Sequence, residues 1–273
     1  HLPVAVDATC SGLQILAGLA RDASTARMVN VIGSAKPQDA YATIASRSLE
    51  AIPDRLKPHW DRKVTKRCVM TIPYNAKPFS NRSYIRDAFK EKGVDVDKEE
   101  LTQCVNAVRA AMNVVVPGAM SVMKWIETEI ARAIKAGADE IRWTTPSGFN
   151  VKQRLMKHKS TIIRTQLMGR CEVYVAGAEN GVDLKHHKNA TAPNLIHSLD
   201  ASLLHMSVMN FNKPIAVIHD SVLCRATDMC KLSTLVRDTY MTLFAKHEPL
   251  TDFALAIGAE EQPPIIGDLK PEA

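Results

Sequence analysis

Apolar residues recur every three or four positions over most of the chain, the spacing that places them on one face of an α-helix. This spacing predicts helices over about 12–20, 41–52, 101–115, 122–134 and 232–243. Pro193 suits the first turn of a further helix. The inward-facing positions of that helix would be Leu195, Leu199, Leu203 and Met206.

The hydrophobic period changes from helical to strand-like in several segments. Residues 2–6 and 215–218 are apolar throughout and predict buried strands. Residues 140–145 and 149–155 flank a Thr-Pro-Ser-Gly sequence that predicts a hairpin with a type I turn. A second strand pair is predicted over about 160–172 and onward to 175. Strands at both ends of a mainly helical chain favour an α+β domain whose small sheet is split by a helical insertion.

Composition and length narrow the class of protein. The 273 residues are 46% apolar, without the run of about 18 apolar positions that a membrane span needs. The six cysteines form no C-x-x-C pair, which argues against a disulfide scaffold or a zinc ribbon and favours a reducing compartment. Residue 1 is His and no signal segment precedes the first strand, so we expect an excerpt of a longer protein.

Positive charge is concentrated in two segments. Residues 54–93 carry +7 and residues 151–189 carry +5, whereas the whole chain carries +6. The remaining residues are therefore net negative. Focused positive charge favours a phosphate-rich partner, although two solvated surfaces would produce the same pattern.

Two aspartates have a setting typical of metal ligands. Asp7 follows the first strand, and Asp220 lies at a turn 213 positions later. Carboxylates at strand ends can hold Mg²⁺, which prefers one or two carboxylates together with substrate phosphates. Taken alone, either aspartate also fits a turn or helix cap. The neighbours His219, Asp220 and Ser221 do not form a hydrolase triad, because three consecutive residues cannot converge on one point.

A basic segment carries a second candidate site. Arg62, Lys66, Met70 and Tyr74 are spaced by four and would form one ridge on a helix. Two cations followed by a thioether and a phenol could bind a triphosphate at one end and a sugar or base at the other. A solvated helix with some core contacts fits the spacing as well. Pro73 predicts that the helix bends or ends there.

Several segments resemble motifs of one enzyme family. L-P-V-A-V-D-A-T-C-S-G-L-Q (2–14), R-K-V-T-K-R-C-V-M-T-I-P-Y-N (62–75) and I-H-D-S (218–221) resemble motifs A, B and C of the bacteriophage-type single-subunit DNA-dependent RNA polymerases. W-T-T-P-S-G-F (143–149) and H-K-N-A-T-A-P-N-L-I-H-S-L-D (187–200) also match this family, which includes the mitochondrial enzymes. The matches follow the family's order and span nearly the whole chain, so they are more specific than any single motif.

The resemblance implies a right-hand polymerase fragment. Residues 1–23 and 198–273 would form the palm, a small antiparallel sheet with its helices, and residues 24–197 the mainly helical fingers. The N-terminal domain and thumb would be absent, and the isolated fragment inactive. The implied activity is that of a nucleotidyltransferase, a DNA-directed RNA polymerase that uses two Mg²⁺ ions.

Roles for individual residues also follow from the resemblance. Asp7, Asp220 and the backbone carbonyl of Ala8 would hold the two Mg²⁺ ions. Arg62, Lys66, Met70, Tyr74 and His197 would bind the incoming nucleotide. Lys66 is also a candidate acid for the departing pyrophosphate. Tyr74, helped by His197, would distinguish rNTP from dNTP through the 2′-hydroxyl.

Nucleic-acid partners are implied in the same way. The segment at about 160–176 would be the hairpin that reads promoter DNA, and Lys63, Arg67, Arg164 and Arg170 are candidate DNA contacts. The partners would be DNA template and promoter, nascent RNA and rNTPs, with no membrane and a monomeric full-length enzyme. The location would be the cytoplasm of a phage-infected bacterium or, alternatively, the mitochondrion.

A few residues of this chain depart from the family pattern. Ala8 and Asn75 stand where the family has glycine; only the carbonyl of Ala8 is needed, and Asn tolerates positive φ better than most residues. His186 and His187 lack a third ligand and are expected to be exposed.

A family A DNA polymerase shares the palm chemistry but normally has a different motif A and an acidic residue after His-Asp. A catalytically inactive nucleic-acid-binding fragment is the remaining alternative.

Overall fold

The computed structural model describes residues 2–166, 169, 171–267 and 269. Its first half contains β1 (Pro3–Val6), α1 (Ser11–Ala20), α2 (Ala23–Met28), α3 (Ala40–Ser48), α4 (Arg62–Thr71), α5 (Pro78–Glu91), α6 (Lys98–Val115) and α7 (Pro117–Lys135). Its second half contains β2 (Ile141–Thr144), β3 (Asn150–Gln153), β4 (Met156–Thr165), β5 (Cys171–Val182), α8 (Leu184–Asn210), β6 (Ile215–Ile218), β7 (Ser221–Arg225), α9 (Met229–Lys246) and α10 (Pro249–Ile257). The predicted α+β class and both predicted hairpins are confirmed.

A three-stranded antiparallel sheet joins the two ends of the chain, in the order β1-β7-β6. β1 pairs with β7 so that Val6 lies opposite Val222, and β6 pairs with β7 across a two-residue turn. The residues between β1 and β6 are inserted into this sheet. The expectation of a sheet split by a mainly helical insertion is therefore correct.

The expected burial of the outer strands is wrong. Val6 of β1 is 41% exposed and Ile218 of β6 is 60% exposed. Both strands lie at the edges of the sheet, whereas Val222 and Cys224 of the central β7 are buried with Leu232 of α9. An apolar run predicts a strand, but burial also requires an element that covers it.

Helix α1 lies at the centre of the hydrophobic core. Nine of its ten residues are buried, and it packs against α2, α7 and α8. At Gly18, an added Cβ would lie 2.5 Å from the Phe244 ring of α9, so the helices meet closely there. Beyond α1, the buried carboxylate of Asp22 accepts hydrogen bonds from the backbone of Ser24 in α2 and Gly118 in α7. These contacts fix the C-terminal end of α1 in the core, and its first turn, at the other end, borders the site described below.

Helix α8 begins earlier than predicted. It starts at Leu184, where Asp183 caps it by accepting from the backbone N–H of His186, so Pro193 lies inside the helix rather than at its first turn. The inward positions Leu195 and Leu199 are buried, as expected. Proline has no N–H to donate to the carbonyl four residues earlier, which here belongs to Asn189.

The expected exposure of His187 is also wrong. Its side chain is fully buried, and its Nε2 accepts a 3.1 Å hydrogen bond from the backbone N–H of Leu155. Gln153 contacts the other ring nitrogen at 3.2 Å. His187 therefore joins the N-terminal part of α8 to the base of the β4–β5 hairpin.

In the part of the chain that the structure describes, no single helix is long and apolar enough to cross a bilayer. Helices α6 and α7 reach that length and apolarity only when taken together, across a bend of 106°.

Candidate active site

Two of the predicted metal ligands lie at the same end of the β1-β7-β6 sheet. Asp7 directly follows β1, and the pairing of β1 with β7 places it beside Ser221, whose Oγ donates to Asp7 Oδ1 at 2.9 Å. Asp220 directly precedes Ser221 and lies in the turn between β6 and β7. The sheet thus brings together two carboxylates that are 213 positions apart in the sequence.

The β6–β7 turn directs Asp220 toward helix α1. His219, the first turn residue, has a φ of 54°, a left-handed conformation that suits a two-residue hairpin turn. Ser11 Oγ, in the first turn of α1, donates to Asp220 Oδ2 at 3.5 Å. The carboxylate is therefore connected to the centre of the core through α1.

Tyr74 lies against the same turn of α1. Its Oη is 3.3 Å from Ser11 Oγ. An added Cβ at Gly12 would be 2.9 Å from both Cζ and Oη of Tyr74, so any other residue there would force the phenol to shift. On the other side, the His197 ring of α8 stacks on Tyr74 with centroids 4.6 Å apart and planes inclined by 14°. Tyr74 is held between α1 and α8.

Sequence reasoning missed one carboxylate of this cluster, Asp200 of α8. Burial raises the pKa of Asp200 to about 6, the Ser11 hydroxyl lowers it, and the charge of Asp220 raises it. Asp200 is three residues after His197, a spacing that places both side chains on one face of the helix. That spacing is common on helices and by itself indicates nothing specific. Asp200 also ends the segment 187–200 that resembles the polymerase family, but the sequence analysis assigns it no role.

Burial favours the neutral form of both stacked rings. It raises the pKa of the Tyr74 phenol, and the nearby charges of Asp200 and Asp220 raise it further. Burial also lowers the pKa of His197, although Asp220 opposes this effect. A neutral phenol and a neutral imidazole can each donate or accept a hydrogen bond.

Helix α4 carries the predicted basic ridge. Its N-terminus is capped by the Asp61 side chain, and its α-helical part ends at Thr71, followed by a 3-10 turn over Ile72–Tyr74. The predicted end of the helix near Pro73 is confirmed. Asn75 then adopts a φ of 63°, as expected for a residue in place of glycine.

The three exposed members of the ridge differ in their contacts. Arg62 forms an ion pair with Asp39 at 2.5 Å and lies over the Tyr41 ring. Lys66 is exposed and forms no ion pair within the described residues. Met70 is 44% exposed. The ridge ends at Tyr74, which is about 18 Å from Arg62 along the axis at 1.5 Å per residue.

The candidate DNA contacts lie on the surface in local pairs. Lys63 pairs with Glu91 at 2.8 Å, and Arg67 lies 4.4 Å from the centroid of the Tyr84 ring. In the β4–β5 hairpin, Arg164 pairs across the strands with Glu172 at 3.0 Å. Arg170 is outside the described residues. Exposed ion pairs contribute about 0–1 kcal/mol, so a phosphate can replace the carboxylate partner at little cost.

The donor set around Asp7 is suited to a hard cation. Asp7 is exposed and Asp220 half-buried, and the carbonyl of Ala8 adds a further oxygen next to Asp7. Within the described residues, no group of three or more His, Cys, Asp or Glu side chains could hold a metal ion by itself. Two carboxylates open to a substrate fit Mg²⁺, which completes its octahedral shell with water and phosphate oxygens.

Comparison with known proteins identifies the family of this chain. Residues 1–260 match the family model of DNA-dependent RNA polymerase. The DNA-directed RNA polymerase 2A of Nicotiana tabacum is 32% identical over 268 residues, which cover 89% of this chain and 79% of the relative.

Two longer relatives match over the same region. The chloroplastic/mitochondrial DNA-directed RNA polymerase 2 of Arabidopsis thaliana is 30% identical, over 90% of this chain and 26% of the relative. The mitochondrial DNA-directed RNA polymerase 1 of Nicotiana sylvestris is 30% identical, over 89% and 26%. The chain spans about a quarter of the length of these two proteins.

Proposed function

Because this chain belongs to the phage-type single-subunit DNA-dependent RNA polymerase family, we propose that it contributes the catalytic residues for template-directed RNA synthesis from rNTPs on DNA. The observation that carries the proposal is the position of Ser11, whose hydroxyl contacts both Asp220 and Tyr74. One residue thereby connects a carboxylate suited to metal with an aromatic side chain suited to a sugar. A nucleotidyltransferase needs both functions within the length of one nucleotide.

Asp7 and Asp220, with the carbonyl of Ala8, would hold two Mg²⁺ ions in this enzyme. The bound ions would activate the attacking 3′-hydroxyl of the RNA and stabilise the charge on the leaving pyrophosphate. Ser221 donates to Asp7 and Ser11 donates to Asp220, so each carboxylate is oriented by a hydroxyl while its other oxygen is left for a ligand.

Lys66 and Arg62 would bind the triphosphate. Lys66 is exposed on the ridge of α4, whereas Arg62 would exchange its surface partner Asp39 for a phosphate oxygen. An ammonium group close to the leaving phosphates can also supply a proton to the pyrophosphate. Met70 lies between these cations and Tyr74 and would contact the nucleoside.

Tyr74 and His197 would select the ribose. Burial favours the neutral form of both rings, and neutral groups can recognise a hydroxyl by hydrogen bonding without attracting phosphate. A site built to hydrogen-bond a hydroxyl discriminates against a substrate that lacks it, because its polar groups are then left unpaired. This supports discrimination of rNTP from dNTP at the 2′ position.

The β1-β7-β6 sheet and its helices, within 1–23 and 198–273, would form the palm, and residues 24–197 the fingers. The β4–β5 hairpin, which includes the described part of 160–176, would read promoter DNA. Arg164 and the two candidates on α4, Lys63 and Arg67, would contact nucleic-acid phosphates. The partners would be DNA template and promoter, nascent RNA and rNTPs, with the enzyme acting as a monomer.

An organelle is the proposed location. The names of the relatives place them in chloroplasts or mitochondria, which favours the mitochondrial alternative. The expectation of a phage-infected bacterial host gains no support from these relatives.

Extension of an RNA primer on a DNA template, by the protein in its full natural length, tests the proposal. We expect Mg²⁺-dependent incorporation of rNTPs that Asp7→Asn or Asp220→Asn reduces to background without lowering the melting temperature. Asp238→Asn, at an exposed position on α9, is the matched control and should keep full activity.

Three outcomes would contradict the proposal. Near-normal incorporation by either active-site variant would remove the metal assignment. Preference for dNTPs would favour a DNA polymerase. Salt-sensitive DNA binding without incorporation would favour the inactive nucleic-acid-binding fragment.

A further inference from the structure

Pro193 creates a defect in the hydrogen bonding of α8. In a regular helix the carbonyl of Asn189 would accept from the N–H of residue 193, but proline has none. The proline ring also pushes that carbonyl away from the helix axis. A buried carbonyl without a donor costs free energy, so another group is expected to reach it.

Asn75, which directly follows Tyr74, supplies the missing donor. Its Nδ2 donates to the carbonyl of Asn189 at 3.0 Å and lies 3.4 Å from the carbonyl of Lys188. Its Oδ1 accepts from Lys77 Nζ at 2.6 Å. Because a lysine can only donate, Lys77 fixes which end of the amide faces α8.

The same two elements meet a second time at the stacked rings. His197 is eight residues after Asn189 on α8, about 12 Å along the axis, and its ring stacks on Tyr74. The turn that contains Tyr74 and Asn75 therefore contacts α8 at two points. One point is the hydrogen bond from Asn75, and the other is the stack.

We propose that Asn75 is a positioning residue for ribose selection: it sets the Tyr74–His197 stack by donating to the backbone carbonyl that Pro193 leaves open. The inference rests on the proposed role of Tyr74 and adds a residue to it. Glycine, which the family pattern has at this position, can adopt the same φ of 63° but has no side-chain donor. The connection is thus a feature of this chain's own residues.

A double-mutant cycle tests the contact itself. Pro193→Ala restores an N–H that can donate to Asn189 within the helix, so the donor of Asn75 becomes superfluous. We expect Asn75→Gly to lower the folding equilibrium constant of the full-length protein about tenfold, the scale of one hydrogen bond. In the Pro193→Ala background, Asn75→Gly should lower the folding equilibrium constant by less than about threefold. Asn75→Asp, which keeps the size but loses the donor, should behave like Asn75→Gly.

Primer extension with the same variants tests the consequence for selection. Asn75→Gly should lower the ratio of kcat/KM for rNTP to that for dNTP by about three- to tenfold, and Pro193→Ala should restore it in the double variant. A residue that only stabilised the fold would leave this ratio unchanged.

Asn30 provides a matched control. It also has a positive φ, 62°, and its side-chain amide bonds the backbone of Gln38 at 2.9 and 2.7 Å. Asn30→Gly should lower stability without changing the rNTP/dNTP ratio.

If the effects of Asn75→Gly and Pro193→Ala on the free energy of unfolding were additive, the inference that Asn75 compensates for Pro193 would be wrong. An unchanged ratio in Asn75→Gly, or an equal change in Asn30→Gly, would overturn the role in selection. Absence of any incorporation by the wild type would refute the proposed function, and the selection role with it, while the unfolding cycle would still decide the contact.

Discussion

Replacing Gly12 by alanine tests whether the position of the Tyr74 phenol controls sugar selection. The new Cβ would lie 2.9 Å from Cζ and Oη of Tyr74 and 3.2 Å from Cε2. Carbon atoms in contact are normally about 3.5–4.0 Å apart, so the ring must move by several tenths of an ångström or more. Movement away from α1 would break the 3.3 Å contact with Ser11 and disturb the stack on His197.

The effect on stability should be small because two contributions oppose each other. Overpacking of a buried contact costs about 1–3 kcal/mol. The higher helix propensity of alanine stabilises the fold by up to about 1 kcal/mol, and by less in the first turn, where Gly12 lies. We expect a net loss of about 0–2 kcal/mol. Sugar selection should change more clearly. Loss of one hydrogen bond to the ribose should lower the rNTP/dNTP ratio of kcat/KM about tenfold.

Gly18→Ala on the same helix separates the two effects. Its Cβ would lie 2.5 Å from the Phe244 ring, a closer contact than at Gly12 but far along α1 from Tyr74. This variant should lose more stability and keep the wild-type ratio in single-nucleotide primer extension. Gly12→Ala with a ratio within twofold of the wild type, or Gly18→Ala with an equally altered ratio, would refute the reasoning.

Two further predictions concern pH and are measured by denaturant unfolding without divalent cations. Burial raises the pKa of Asp200 to about 6, so the folded state binds the proton more tightly and stability falls as pH rises from about 4 to 6. Asp200→Asn should remove this fall and add on the order of 2 kcal/mol at pH 7.5; an unchanged pH profile would contradict it. Burial lowers the pKa of His187, so the unfolded state binds the proton more tightly than the folded state does. The resulting contribution of His187 to folding stability is complete above pH 6.5 and is lost as pH falls through the lowered pKa. His187→Gln should flatten the profile below pH 6.5, and the same slope as in the wild type would count against the prediction.

Most helices could be predicted because their apolar faces repeat with the helical period. Helix α1 begins one residue before the expected 12 and ends at 20 as expected, whereas α7 ends one residue after the expected 134 but begins five residues before the expected 122. The turn between β2 and β3 could be predicted because Gly148 supplies a positive φ and its N–H closes the turn on Thr145. These features depend on residues close together in the sequence.

The start of α8 could not be predicted in this way. Local rules place proline in the first turn of a helix, where its missing N–H costs nothing. Here the donor that makes an interior proline tolerable belongs to Asn75, which is 114 positions before the Asn189 carbonyl that it reaches. The burial of His187 has the same origin, since its partners Gln153 and Leu155 lie on another element. Long-range hydrogen bonds leave no periodic trace in the sequence.

The candidate site shows the same division between local and long-range information. Asp7 and Asp220 could be associated from the sequence because strand ends of one sheet meet at one edge, and the pairing of β1 with β7 brings them together. Ser11 and Gly12 look like ordinary residues at a helix start, and their importance depends on what approaches them. A larger side chain at Gly12 would displace the phenol, and an apolar one at Ser11 would leave Tyr74 and Asp220 without their common partner. The small size of these two residues is what allows a carboxylate from the sheet and an aromatic ring from the helical insertion to meet at one point.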